Sequence, residues 1–284
     1  MVPYILVAPA VVVLCVLFVY PIARLVQLSM LDNSLVASST RFVGSQNFVA
    51  LKSDPVFWSS FGNTLMFTAS SVLLHLALGL ALALLLHQRL RPSIRSVFRG
   101  ILIVPWMFTA AVVAINWRLI LSPFGVLNGT LALMRVTPAA RPVDWLGEPA
   151  LAMPALVVIN LWRGYPLVML LLLAGLQNIP PELHEAGAVD GANLWGQFRY
   201  ITLPSLKPVI ASVALLDAIW NFRLFDLVFL TTGGGPMNQT QVLSTYDYRL
   251  AFESFRFGTA SALSVMMLLF TLLLSLAYFR YQQS

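Results

Sequence analysis

Phe257-Gly258-Thr259-Ala260-Ser261-Ala262-Leu263-Ser264-Val265-Met266-Met267-Leu268-Leu269-Phe270-Thr271-Leu272-Leu273-Leu274-Ser275-Leu276-Ala277-Tyr278-Phe279 runs for 23 residues without an aspartate, glutamate, lysine or arginine. About 20 apolar residues carry a helix across roughly 30 Å of hydrocarbon, so this stretch is long enough to span a bilayer. Pro3–Ala23, Asn63–Leu86 and Gly100–Trp117 are equally free of charge. Two further apolar stretches carry some: Leu151–Leu176 contains Arg163, and Pro208–Thr232 contains Asp217, Arg223 and Asp226. Six helices are therefore expected, over about 3–28, 61–87, 99–118, 151–176, 208–232 and 257–280. The expected fold class is an all-α polytopic membrane protein with six transmembrane helices. The first stretch is too long for a signal peptide, lacks a basic leading region and has no small-residue cleavage site at its end.

The composition agrees. Of 284 residues, 59% are hydrophobic and 10% charged, against about 45–50% and about 25% in a soluble domain; the mean hydropathy is +0.83. A soluble globular domain, a disordered chain and a disulfide scaffold are all excluded. The net charge of +6 is small and spread along the chain, which argues against a nucleic-acid partner. The single cysteine, Cys15, lies in an apolar run, so no intrachain disulfide forms and no metal site is expected.

With six spans both termini share a side. Basic residues in the flanks divide evenly: Arg89, Arg91, Arg95, Arg99, Arg199, Lys207 and Arg280 on one side, and Arg41, Lys52, Arg118, Arg135, Arg141, Arg249 and Arg256 on the other. The positive-inside rule weighs short loops most. His87–Arg99 packs four arginines into a short loop, which places that loop, and both termini, in the cytoplasm. The outer loops, Met30–Ser60, Leu119–Ala150 and Thr232–Phe257, each run to about 30 residues and hold Gly, Pro, Trp and Tyr. The long inner segment is Asn178–Lys207.

That segment contains Pro180-Pro181-Glu182-Leu183-His184-Glu185-Ala186-Gly187-Ala188-Val189-Asp190-Gly191-Ala192. The prolines suit a helix start, and Glu182 and Glu185 suit the positive end of its dipole. Gly191 breaks the helix. A second helical stretch, Asn193–Thr202, carries Leu194, Trp195, Phe198 and Ile201, and Leu203-Pro204 ends it. On physics alone, an amphipathic segment resting on the membrane is as good a reading as a docking element.

Glu185-Ala186-Gly187, Gly191 and Ile201-Thr202-Leu203-Pro204 resemble the EAA loop of binding-protein-dependent ABC importers, whose pattern is E-A-A, three residues, G, nine residues, I-x-L-P. Gly187 stands where the family has alanine. Downstream, Phe225-Asp226 and Leu230-Thr231-Thr232-Gly233-Gly234-Gly235-Pro236 are similar to an element of the carbohydrate-uptake branch, with Thr231 in place of its usual leucine. Thr240, Tyr246 and Ala251-Phe252 continue the likeness, as do Tyr20-Pro21, Gly44 with Asn47-Phe48, Asn63-Thr64 and Pro105-Trp106 upstream. The resemblance, to the six-helix permease subunits of the maltose-transporter type, covers nearly the whole chain.

It implies one ABC-importer transmembrane domain over 1–284, with its EAA loop at 178–207, in the plasma or inner membrane of a prokaryote. The partners implied are a second homologous permease, two cytoplasmic ATPase subunits, an extracytoplasmic solute-binding protein and membrane lipid. The chain has no phosphate-cradling G-x-x-x-x-G-K-[ST] loop. It is therefore expected to be a transport subunit and not an enzyme, with no cofactor of its own and with ATP and Mg on the ATPase. The resemblance makes Leu183, Glu185, Ala186, Val189, Asp190 and Gly191 the ATPase-coupling residues, Glu185 as anionic anchor and Gly191 as the tight turn. Taken by itself, Glu185 is an ordinary solvated helix-start glutamate.

Ionisable residues within spans mark a pathway or a buried pair. The resemblance points to Trp162, Arg163, Gly164, Tyr165 and Asn221 as sugar contacts; the alternative for Trp162 and Tyr165 is interfacial or core packing. Arg223 and Asp226, three apart, can pair on one helix face near the outer mouth. Asp217, deeper, can pair with Arg163 or with the partner subunit. His75 is expected to be a packed histidine and His87 an interfacial one. The substrate class implied is a di- or oligosaccharide, or a related solute such as glycerol phosphate. The competing readings are an ion-coupled secondary transporter, using Asp217, Asp226 and Arg163, and a membrane-embedded enzyme.

Overall fold

The computed structural model describes residues 2–32, 41–88, 91–136 and 141–283. Arg89, counted in the basic loop, lies outside them. In chain order the helices are α1 (Val2–Leu14) and α2 (Tyr20–Ser29), joined by a π-helical turn, then α3 (Gln46–Lys52), α4 (Pro55–His87), α5 (Pro92–Met107), α6 (Ala110–Leu121), α7 (Val126–Leu133) and α8 (Pro149–Gln177). They continue with α9 (Pro181–Val189), α10 (Leu194–Gln197), α11 (Leu203–Phe222), α12 (Asp226–Thr231), α13 (Leu243–Tyr248) and α14 (Phe257–Gln283). Among the described residues, strand is confined to an antiparallel pair, Leu31–Asp32 with Arg41–Phe42.

Among the described residues, six helical segments are long and apolar enough to cross a membrane: Val7–Ser29, Pro55–His87, Ala110–Leu133, Pro149–Gln177, Leu194–Phe222 and Phe257–Arg280. Two expected spans need correction. The span placed at 99–118 is two helices, α5 and α6, with extended backbone at Phe108 and Thr109 between them. Pro105 removes an amide donor near the end of α5, and the Thr109 hydroxyl accepts from Val112 N at 3.5 Å to start α6. The span placed at 208–232 ends at Phe222; Arg223 leaves helical geometry, and α12 starts afresh at Asp226. Hydropathy runs unbroken across the first interruption, so apolarity alone does not reveal it, whereas Arg223 and Asp226 bracket the second.

α4 starts where Asp54 accepts from Val56 N at 2.8 Å and Pro55 fills the first turn. α8 lies at the centre of the bundle. It packs against α4, α5 and α11, and Leu156, Ile159, Met169 and Leu172 on it are fully buried. The first span contrasts with it: no residue of Val7–Ser29 in its most apolar window is buried. Its α2 part lies against α14, and most of its other described side chains are exposed.

Candidate functional site

A cavity of about 440 Å³ opens between α4, α8 and α11. Its floor is a polar network in an otherwise apolar bundle. His75 Nδ1 lies 2.8 Å from Asp217 Oδ2, and His75 Nε2 lies 3.0 Å from the Asn160 carbonyl oxygen. Asn160 Nδ2 donates to Ser71 Oγ at 3.0 Å and to Asn221 Oδ1 at 2.6 Å. Asn221 Nδ2 donates in turn to Asp217, at its carbonyl oxygen (2.8 Å) and at Oδ1 (2.9 Å). His75, Asn160, Asp217 and Asn221 are all buried.

The network has a definite proton count. A carbonyl oxygen only accepts, so His75 Nε2 donates to Asn160. The contact between Nδ1 and the carboxylate then needs one proton, carried by either partner. Histidine and aspartate together are neutral in both arrangements, which suits their depth.

Gly164 makes room for this. A Cβ built there would stand 2.4 Å from the His75 ring, so α8 and the imidazole touch only because position 164 has no side chain. Above the floor, Arg163 Nη2 stands 3.8 Å from Asp226 Oδ2, both side chains partly exposed. Trp106, Trp220 and Phe225 add aromatic walls. Arg223 also faces the cavity and, among the described residues, makes no ion pair.

Three expectations change and one is extended. Asp217 pairs with His75, not Arg163. Asp226 pairs with Arg163, not Arg223, because the break after Phe222 takes Arg223 and Asp226 off a common helix face. His75 is packed, as expected, but is also hydrogen-bonded at both nitrogens. Finally, the Trp162-Arg163-Gly164-Tyr165 run does not face one way, since successive helical residues turn by about 100°. Arg163, Gly164 and Asn221 line the cavity, whereas Trp162 and Tyr165 do not. Trp162 stacks on Phe108 with a 6.2 Å centroid separation and meets Trp117 edge-on. Tyr165 is buried and donates to the Leu102 carbonyl oxygen at 3.1 Å. Asn160 and Trp220 were not singled out from sequence, and Trp106 and Phe225 only as marks of the resemblance, not as cavity residues. The spacing of Asn160 from Arg163 and Gly164, three and four residues, was the available signal for the first.

At one end of the bundle, α9 and α10 form a helix–turn–helix. Gly191 turns the chain with φ +83°, a conformation open to glycine and strained for other residues. Asn193 then caps α10 by accepting from Gly196 N at 2.8 Å. A Cβ on Gly187 would come 2.6 Å from Ile201 Cδ1, so the two arms of the motif touch where the family pattern has alanine. Leu183, Val189, Leu194 and Trp195 are exposed, and Glu185 and Ala186 are exposed beside them. This is an exposed apolar patch rimmed by acid.

Residues 75–284 match the family described as binding-protein-dependent transport system inner membrane component. The trehalose/maltose transport system permease protein of Thermococcus litoralis is 34% identical over 98% of this chain and 92% of that protein. The lactose transport system permease protein of Rhizobium radiobacter is 34% identical over 97% of this chain and 92% of that one. The structure also superposes on a chain of a bacterial ABC transporter involved in the import of the acidic polysaccharide alginate. There the TM-score is 0.82 at 25% identity, covering 98% of this chain and 95% of the other. Six apolar helices, the helix–turn–helix at the junction of the fourth and fifth spans and these matches have one reading: the chain is a multi-pass membrane protein that belongs to the family of binding-protein-dependent transport system inner membrane components.

Proposed function

We propose that this chain is one of two permease subunits of an ATP-driven importer and forms half of the pathway for a sugar, a di- or oligosaccharide or a related solute such as glycerol phosphate. The carrying observation is the cavity between α4, α8 and α11. It combines hydrogen-bonding groups with indole and phenyl walls, the chemistry that recognises a hydroxylated ring. Relatives named for trehalose, maltose and lactose transport support the substrate class.

The coupling element is the α9–α10 motif. Glu185 anchors it to a basic residue of the ATPase, Gly191 holds the turn, and Leu183, Ala186 and Val189 form the apolar docking face, with Asp190 capping α9. ATP and Mg bind on the ATPase subunits, and an extracytoplasmic receptor delivers the solute. The basic loop and both termini face the cytoplasm. Arg163 and Asn221 contact the sugar. Gly164 shapes the wall between them.

Reconstitution of the complete complex with its receptor in liposomes tests this. Accumulation of labelled disaccharide that requires ATP and receptor is the expected result. Accumulation driven by a proton or sodium gradient without ATP would overturn it in favour of a secondary transporter.

A further inference from the structure

Arg95 and Arg99 lie one turn apart on the same face of α5, and the Nε of each is buried without a hydrogen-bond partner among the described residues. One Nη of Arg95 donates to the Gln88 carbonyl oxygen at 2.8 Å. Arg91, a further turn back, is exposed. None of the three makes an ion pair among the described residues. Their own stretch of chain offers none, since no aspartate or glutamate occurs from Pro55 to Val143. His87 at the end of α4 lies within electrostatic reach of both Arg95 and His184 on α9. Along the flank of this arginine row, Ile94, Phe98 and Ile101 are exposed.

Two buried guanidinium donors without acceptors, beside bare hydrocarbon, describe a site for a ligand with an anionic head and an apolar tail. We propose that Arg95 and Arg99 bind the phosphate of an anionic phospholipid in the cytoplasmic leaflet, its acyl chains lying along Ile94, Phe98 and Ile101. Guanidinium forks match phosphate oxygens in pairs, and a basic group next to a span gains from an anionic surface. A carboxylate on a soluble partner would satisfy the donors but leave the three apolar side chains uncovered. The leaflet rests on the orientation given under Proposed function.

The complete complex is exchanged into nanodiscs of phosphatidylcholine mixed with phosphatidylglycerol, and the lipid retained after repurification is measured. Wild type should enrich phosphatidylglycerol. The double variant R95Q/R99Q should lose that enrichment by about fivefold per arginine removed, and R95K/R99K should keep part of it. Arg41→Gln, on the opposite side, should keep all of it. Unchanged enrichment in R95Q/R99Q would overturn the proposal, as would loss of the ATPase subunits with enrichment intact. Should R95Q/R99Q fail to assemble, R95K/R99K decides: enrichment no greater than that of a complex carrying no basic side chain at either position, in R95M/R99M, overturns the site. Orientation is checked separately with Ser93→Cys in a Cys15→Ser background. Labelling by an impermeant maleimide only in inverted vesicles is expected, and labelling from the outer side would sink the orientation without touching the lipid measurement.

Discussion

His75 on α4 and Asp217 on α11 meet at 2.8 Å inside the bundle, and one proton lies between them. The contact ties two spans 142 residues apart in sequence to the Asn160 backbone of a third. A buried pair of this kind adds little over an apolar substitute, but removing one partner strands the other, at about 3–5 kcal/mol. Asp217→Ala should therefore lower the thermal stability of the purified complex sharply, and His75→Ala should do the same. The double variant should be no worse than either single one, because neither group is then left alone. Additive losses in thermal unfolding would show that the two residues do not act as a unit.

Gly164 is the second point where the site depends on a specific absence. A methyl group there collides with the His75 ring, which is hydrogen-bonded on both nitrogens and has nowhere to turn. Gly164→Ala should cost about 1–3 kcal/mol, the range for overpacking a filled core, and reduce transport. Gly62→Ala, at a helical position with open space around it, should be neutral or slightly stabilising, since alanine is the better helix former. Equal stability of the two variants would remove the argument for contact between α8 and His75.

The six spans were legible because charge-free runs of helical length leave few other readings. Their interruptions were not, because Phe108 sits in sequence that stays apolar on both sides, and Arg223 with Asp226 reads equally well as an ion pair on a continuous helix. Pro105 and Thr109 were the visible hints for the first break. The cavity was half legible. Arg163, Asp217 and Asp226 stand out as charges in apolar runs, but their partners lie on other helices. A pair of opposite charges three residues apart reads as local only if the helix continues. Ser71 and Asn160, neutral polar residues in apolar stretches, carry no hydropathy signal strong enough to mark a network. Broken spans are also a feature of secondary transporters; family membership, not helix shape, decides against that reading.

The coupling motif is tested at its turn and at its acid. Gly191 has φ +83°, so Gly191→Val places a β-branched residue where it is strained by roughly 1–3 kcal/mol. Glu185→Lys reverses an exposed charge. Both should lower sugar-stimulated ATP hydrolysis several-fold while receptor binding outside is unchanged. Normal stimulation in both variants would rule out the α9–α10 motif as the ATPase contact.

Asp247 gives a pH signature. Burial pushes its carboxyl up to about 6, opposed by a hydrogen bond from the Ser264 hydroxyl. The folded protein then holds this proton more tightly than the unfolded chain, whose value is near 3.8. The contribution is complete below the unfolded value and is lost as pH rises through the folded one. Thermal stability from this group should fall between about pH 4 and pH 7. Asp247→Asn should flatten that slope and be the more stable form at neutral pH. Parallel slopes for wild type and variant would exclude Asp247 as the titrating group.

Arg163 separates a substrate contact from a structural one. Its guanidinium faces the cavity, and its partner Asp226 stands at 3.8 Å, beyond good hydrogen-bond length, while Asp226 Oδ1 is already engaged by Leu227 N at 2.8 Å. Arg163 thus keeps donors free for a hydroxyl. A hydrogen bond to a charged group contributes about 1.5–3 kcal/mol, so Arg163→Ala should lower sugar uptake by roughly tenfold or more. Assembly and basal ATP hydrolysis should persist, because the pair it breaks is long and partly exposed. Asn221→Ala should behave differently. Asn221 bonds Asn160 and Asp217 at once, so its loss should lower both uptake and thermal stability. If Arg163 instead serves mainly to hold Asp226, Arg163→Ala should disrupt assembly and Asp226→Asn should restore it. Uptake in liposomes, paired with a pull-down of the partner subunits, distinguishes the outcomes: rescue by Asp226→Asn would end the assignment of Arg163 as a sugar contact.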